Sequence, residues 1–274
     1  MRRNLASFAL APFALAACLS LAGLAGCDDP PAKGSGSGAT TAAATTAAPK
    51  PAETPAAAVT SAAPQTPPPP KKDVVCKKDA VVTFDDAYLE GVVRVQLQKK
   101  DGPIQRSELK KVKTLNLAGA PACDALDPCL MPEFTGVRGL YLAAGKLDDL
   151  SPIKTLTQLE SLSVSRTPLV DLTPLAAHVK LDRLDLGRTR VKDLAPIAGL
   201  VNLTELQLDE TDVTDLTPLA NMKKLELLQI KKTRISDLSP LKGIRTLKHL
   251  YIEGSLVKDI SPVQGIPGLK IHEG

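Results

Sequence analysis

The sequence lacks most of what catalysis and nucleic-acid binding require. Its 274 residues include no tryptophan and only three histidines, His178, His249 and His272. No histidine–cysteine cluster has zinc spacing, and no glycine-rich stretch matches a phosphate loop. No serine, histidine and aspartate are brought together by the register described below. An enzyme is therefore not expected, and neither is a cofactor. Excess charge is missing too. The formal net charge is +4, and the first 26 residues hold two arginines and no acid, which leaves the remainder at +2. Charge that small gives no electrostatic case for a nucleic-acid partner. Beyond residue 26 only five aromatics remain: Phe84, Tyr88, Phe134, Tyr141 and Tyr251.

Charge is also absent from Leu5 to Gly26, where Leu, Ala and Phe dominate behind Arg2 and Arg3. A basic start followed by an apolar run is the pattern of a secretory signal. A spanning helix is the rival reading, because a bilayer needs roughly 20 apolar residues. The end of the run favours the signal. Leu24-Ala25-Gly26-Cys27 resembles the bacterial lipobox, in which small residues precede a cysteine that receives diacylglycerol. A second match ends at Cys18, but there the chain stays apolar, whereas after Cys27 it turns polar at once with Asp28 and Asp29. Cys27 is therefore the expected lipidation site, and residues 1–26 the expected signal peptide. The expected location is the cell envelope: an outer membrane, its periplasmic face, or the cell surface.

Residues 27–72 are the lipidated cysteine and a tether of Ala, Thr, Pro, Ser and Gly. Such a stretch buries too little apolar surface to offset its ordering entropy. Fully polyproline-like, the 45 residues from Asp28 to Lys72 would span about 140 Å, at about 3.1 Å each.

The remainder is repetitive. Leu159-Glu160-Ser161-Leu162-Ser163-Val164 returns at Leu181, Leu203, Leu225 and Leu247, each 22 residues on. Asp149, Asp171, Asp193, Asp215, Asp237 and Asp259 keep step, as do prolines from Pro152 to Pro262 and threonines from Thr167 to Thr233. Leu-x-Leu has period two, so both leucines point inward from a short strand. Asp-Leu-(Ser/Thr/Ala)-Pro then predicts a short helical turn, with Ser or Thr as its cap and Pro at its first position. One unit cannot bury its leucines alone, but stacked units share a continuous core. Seven strands are expected, beginning at Leu115, Leu140, Leu162, Leu184, Leu206, Leu228 and Leu250.

From about Lys113 to Leu269 this pattern resembles the leucine-rich-repeat family, in the 22-residue class of internalin-like bacterial surface proteins. The resemblance implies an α/β solenoid, with a curved parallel sheet on its concave side and short helical or 3-10 turns on its convex side. It also implies an N-terminal helical cap over residues 73–112. Helical spacing at Leu89, Val92, Val93 and Leu97 agrees, and an uncovered first unit would expose its leucines. Residues 113–274 are then the repeats.

In this family the concave face usually binds. Read by register, the outward strand residues include Tyr141, Arg183, Asp185, Glu205, Gln207, Leu227, Gln229, His249 and Tyr251. Leu227, His249 and Tyr251 would form an apolar and aromatic spot in a polar sheet, the make-up of a protein interface. The plainer alternative is a solvated strand surface whose charges pair between neighbours, as the column Arg188, Glu210, Lys232 suggests. The Asp column does not suggest a metal, because each Asp can accept a backbone N–H two residues on. His178 falls in a column of core residues and is expected to snorkel to the rim. Among Cys76, Cys123 and Cys129, Cys123 and Cys129 bracket a short loop and form one possible disulfide; Cys76 with either would staple the cap to the first unit. The resulting expectation is a non-catalytic, membrane-anchored platform for a protein partner. The alternative is a structural envelope scaffold contacting cell-wall polymer.

Overall fold

The structure is a computed structural model that describes residues 75–274. The signal segment, Cys18, Cys27 and the tether lie outside the described residues.

The cap comes first. Strand β1 (Val81–Val82) pairs antiparallel with β2 (Ile104–Gln105), and helix α1 (Ala87–Leu97) lies between them in sequence. The Asp86 side chain starts the helix by accepting the N–H groups of Tyr88 and Leu89. Leu89 and Val93 of α1, with Ile104 and Leu109, are buried. They cover the apolar end of the first repeat, as the resemblance implied. The β1–β2 pair had no signal in the sequence.

Eight strands then form one parallel sheet in sequence order: β3 (Thr114–Asn116), β4 (Gly139–Tyr141), β5 (Ser161–Ser163), β6 (Arg183–Asp185), β7 (Glu205–Gln207), β8 (Leu227–Gln229), β9 (His249–Tyr251) and β10 (Lys270–His272). The central leucine of each strand faces inward and pairs with the next, as Leu184 does with Leu206 and Leu206 with Leu228. Seven of these strands match the spacing; the eighth, β10, was not expected. Ile271 pairs with Leu250, a separation of 21 rather than 22, so one residue is missing from the last unit.

The convex turns are short 3-10 segments, except the last, Ser261–Gln264, which is α-helical, and their capping corrects the sequence reading. The Ser, Thr or Ala occupies the first helical position and Pro the second, and no hydroxyl caps the turn. The aspartate does so instead. Asp149, Asp171, Asp193, Asp215, Asp237 and Asp259 each accept, at 2.8 Å, the N–H of the residue two further on. That accounts for the Asp column as Asx-turns. The threonine column has a different task. Thr189, Thr211 and Thr233 are buried, and each hydroxyl donates at 2.7 Å to the carbonyl three residues back. This closes the turn where the chain leaves the strand. In the same turns Arg166, Arg188, Glu210 and Lys232 hold φ between 52° and 60°, and Gly254 continues the column at 68°. Only the last of these is a residue that adopts the left-handed region without steric cost.

One expectation fails in the interior. His178 does not reach the rim; it is fully buried, with Nε2 3.1 Å from the Ile153 carbonyl and Nδ1 unpartnered. Its column is convex and closed over by neighbours, which leaves an imidazole no path to water. Burial pushes its pKa down. Of the pairings the sequence left open, the disulfide is the one that joins Cys76 to Cys129 and staples the cap to the first unit. Cys123 is a buried free thiol whose pKa burial raises. Its backbone lies tight against Gly145, where any Cβ would collide with it, so the loop's geometry is set by that close approach.

Candidate functional site

The sheet builds the candidate site by alternation. Because the leucines turn inward, the residues on either side of them face outward in columns. One column reads Gly139, Ser161, Arg183, Glu205, Leu227, His249 and Lys270. The next reads Tyr141, Ser163, Asp185, Gln207, Gln229, Tyr251 and His272. A third, just past the strands, includes Gly187, Asp209 and Lys231.

The chemistry changes along the face. At β5 it is small and neutral, with Ser161, Ser163 and Ser165. In the middle it is acidic and internally satisfied. Asp185 accepts the Ser163 hydroxyl at 2.8 Å and the Gly187 N–H at 2.9 Å. Arg183 Nε lies 3.5 Å from a Glu205 oxygen. Asp209 accepts the Lys231 N–H at 2.8 Å. Burial raises the Asp209 pKa, opposed by that hydrogen bond and by the Lys231 charge, with Asp185 adding to the rise.

At β8 to β10 the face becomes aromatic and cationic. Tyr251 and His272 stack with ring centroids 4.1 Å apart and planes 9° apart. His249 lies 5.7 Å from the His272 ring and 6.4 Å from Tyr251. Lys231 Nζ sits 5.0 Å from the Tyr251 ring centroid, a cation–π contact. Leu227 flanks His249 across the strand pair and is half-buried.

The structure thus brings Arg183, Asp185, Glu205, Gln207, Leu227, Gln229, His249 and Tyr251 onto one continuous surface. Tyr141 stands apart on β4, about 24 Å from β9 at about 4.8 Å per strand. Its ring folds back over Gly139, where an added Cβ would meet the ring at 3.2 Å. His272 belongs to the cluster and was missed. The missing residue before β10 was the signal that could have found it.

Off this face, the columns Arg188, Glu210 and Lys232 form a chain of ion pairs, as their spacing suggested. The two cationic partners hold the Glu210 carboxyl below its usual pKa. A second candidate surface was also missed. Tyr88, Val92 and Val95 of α1 line a shallow apolar groove with Thr114 and Asn116 of β3, and Val95 is 76% exposed. A cleft of about 670 Å³ lies beside the disulfide, lined in part by Asp79, Asp86, Arg106 and Cys123. No group of three or more His, Cys, Asp or Glu in metal-holding arrangement occurs among the described residues. No helix among them is long and apolar enough to cross a membrane.

No family model and no curated protein matches the sequence. Solved structures do match. An internalin (inlF) from Listeria monocytogenes is 26% identical, with a TM-score of 0.62 over 69% of this chain and 56% of that one. An internalin C2 (inlC2) from the same species is 25% identical, with a TM-score of 0.58 over 70% of this chain and 94% of that one. The leucine-rich-repeat ectodomain of a plant receptor kinase from Arabidopsis thaliana, solved in complex with Casparian strip integrity factor 2, shares the fold at 17% identity and a TM-score of 0.50. It is covered over 23% of its length by 58% of this chain. The chain therefore spans little more than half of the first of these internalins. Each internalin likeness covers about 70% of this chain, close to the share taken up by the repeats and their cap. The chain thus has the fold of a leucine-rich-repeat solenoid built on 22-residue units, and it is similar in structure to these internalins.

Proposed function

We propose that this protein is a non-catalytic display platform. Lipid on Cys27 holds it at the cell envelope, residues 28–72 act as the tether, and the C-terminal half of the concave sheet binds a protein partner. The observation that carries this reading is the make-up of the face at β8 to β10. Leu227, His249, Tyr251 and His272 present apolar and aromatic surface outward, where the rest of the sheet presents serines and paired charges. Interfaces enrich aromatic anchors at the centre and polar groups at the rim, and Arg183, Glu205, Gln207 and Gln229 supply such a rim. Tyr251 suits an anchor because its ring is already immobilised between neighbours, so binding costs it little entropy.

The test is photo-cross-linking on intact cells. A photoreactive residue replacing Tyr251 should trap a discrete partner. The same probe replacing Val201, exposed in the turn that precedes β7, should not. A discrete product from a probe at Val95 alone would place the binding surface on the cap groove instead.

A further inference from the structure

We propose that His249 and His272 form a two-histidine chelate for a divalent transition metal of the zinc type. Strict 22-residue register would put residue 272 in the inward column of Leu250. The missing residue in the last unit moves Ile271 into that column and turns His272 outward. The two imidazoles then face each other across β9 and β10. Nδ1 of His249 lies 3.4 Å from Nε2 of His272.

That separation matches a tetrahedral bite. Two nitrogens each about 2.0–2.1 Å from zinc, at a tetrahedral angle, stand roughly 3.3–3.4 Å apart. A square-planar ion would need them closer, at about 2.8 Å for bonds of about 2.0 Å. His272 is held flat against Tyr251. His249 meets it edge to edge, with ring centroids 5.7 Å apart, so the two facing nitrogens point along the line between the rings and each ring turns toward a metal that binds both. Both histidines are half-buried, with part of each open to solvent. Imidazole is a suitable ligand for zinc, copper and nickel.

Metal entry requires both facing nitrogens to be bare. The proton of their hydrogen bond moves to the other nitrogen of its own ring, so no oxidant or reductant is involved. Water fills the remaining coordination positions. Lys231 and Lys270 bring positive charge to the neighbourhood and Glu253 negative charge, so the affinity belongs to a modest, two-donor site. The metal would join the terminal strand to its neighbour and so stabilise the end of the solenoid. This inference concerns metal alone and stands or falls apart from the protein-binding reading.

The test uses the purified full chain and Zn²⁺ by titration calorimetry. His249→Gln and His272→Gln should each weaken the measured site at least ten-fold, while His178→Leu, in the core, should keep it. Because the chain has only three histidines, imidazole proton NMR gives a second readout that needs no variant. Signals of His249 and His272 should move together with added Zn²⁺ and saturate at one equivalent, while His178, buried in the core, stays put. Zinc affinity unchanged in both single variants would overturn the proposal. So would a titration in which only one of the two histidine signals moves, or neither.

Discussion

Tyr251 and His272 stack ring on ring, 4.1 Å apart, although they are 21 residues apart in a chain whose other neighbouring strands repeat at 22 or 25. The stack exists because the last unit is one residue short. It joins β9 to β10 on the most aromatic part of the described sheet.

The inward register is the first. Leu206 is fully buried in the middle of the sheet, while Gln207 faces outward beside it. Leu206→Ala should cost about 2–5 kcal/mol in denaturant unfolding. Gln207→Ala should cost less than about 0.5 kcal/mol. Equal costs would mean that the outward columns are misassigned.

His178 gives the second. Its Nε2 contacts the Ile153 carbonyl, which the Leu156 N–H already satisfies at 2.9 Å, and its Nδ1 has no partner. The same column holds Leu200 and Met222, both fully buried. His178→Leu should therefore stabilise the domain by roughly 1 kcal/mol, or about 2–4 °C in Tm. Burial lowers the folded pKa below the unfolded value of about 6.5. The unfolded state then binds more protons through that window, so the wild-type stability is fully present above about pH 6.5 and is lost as pH falls towards the folded pKa. Melting curves at pH 7.5 and pH 5 should show the advantage of His178→Leu growing in acid. An advantage that does not change with pH would contradict the linkage.

The disulfide is the third. Cys76 and Cys129 lie 53 residues apart, and closing a loop of that length removes roughly 4 kcal/mol of unfolded-state entropy. Cys129→Ser should cost on the order of 2–5 kcal/mol, with loosening confined to the cap and first unit. Cys123→Ser should cost far less. In the native protein Cys123 should resist alkylation until unfolding, because it is buried. Peptide mapping that finds Cys123 joined to Cys129 would contradict the assignment.

The anchor is the fourth. Cys27→Ser should abolish metabolic labelling by a fatty-acid probe, and Cys18→Ser should leave it intact. Loss of label in Cys18→Ser alone would move the lipobox.

Most of the fold was legible because repetition multiplies weak signals. One Leu-x-Leu is uninformative, but the same triplet at fixed spacing, with Asp and Pro in step, fixes strand, turn and facing. Where the period broke, legibility ended. The short last unit hid β10 and His272, since one residue of slip exchanges inward for outward. The extra residues near Cys123 hid the pairing of Cys129, because a loop's path does not follow from register. His178 was misplaced for another reason: its column was read correctly, but a polar residue there was assumed to find water. The helix-capping error came from assigning the role to the nearest hydroxyl, when the aspartate two residues earlier accepts the N–H of the hydroxyl-bearing residue itself.

The central claim is that the C-terminal concave face binds a protein, and affinity for the cross-linked partner tests it most directly. Binding of the purified full chain should weaken by about 1–2 kcal/mol or more, roughly ten-fold, in Tyr251→Ala. It should weaken further when Leu227→Ala is added, with melting temperature nearly unchanged because both side chains lie outside the fully buried core. Arg190→Ala, exposed beyond the strand's end, should bind as the wild type does. Undiminished affinity in a Tyr251→Ala, Leu227→Ala double variant that folds normally would contradict the account.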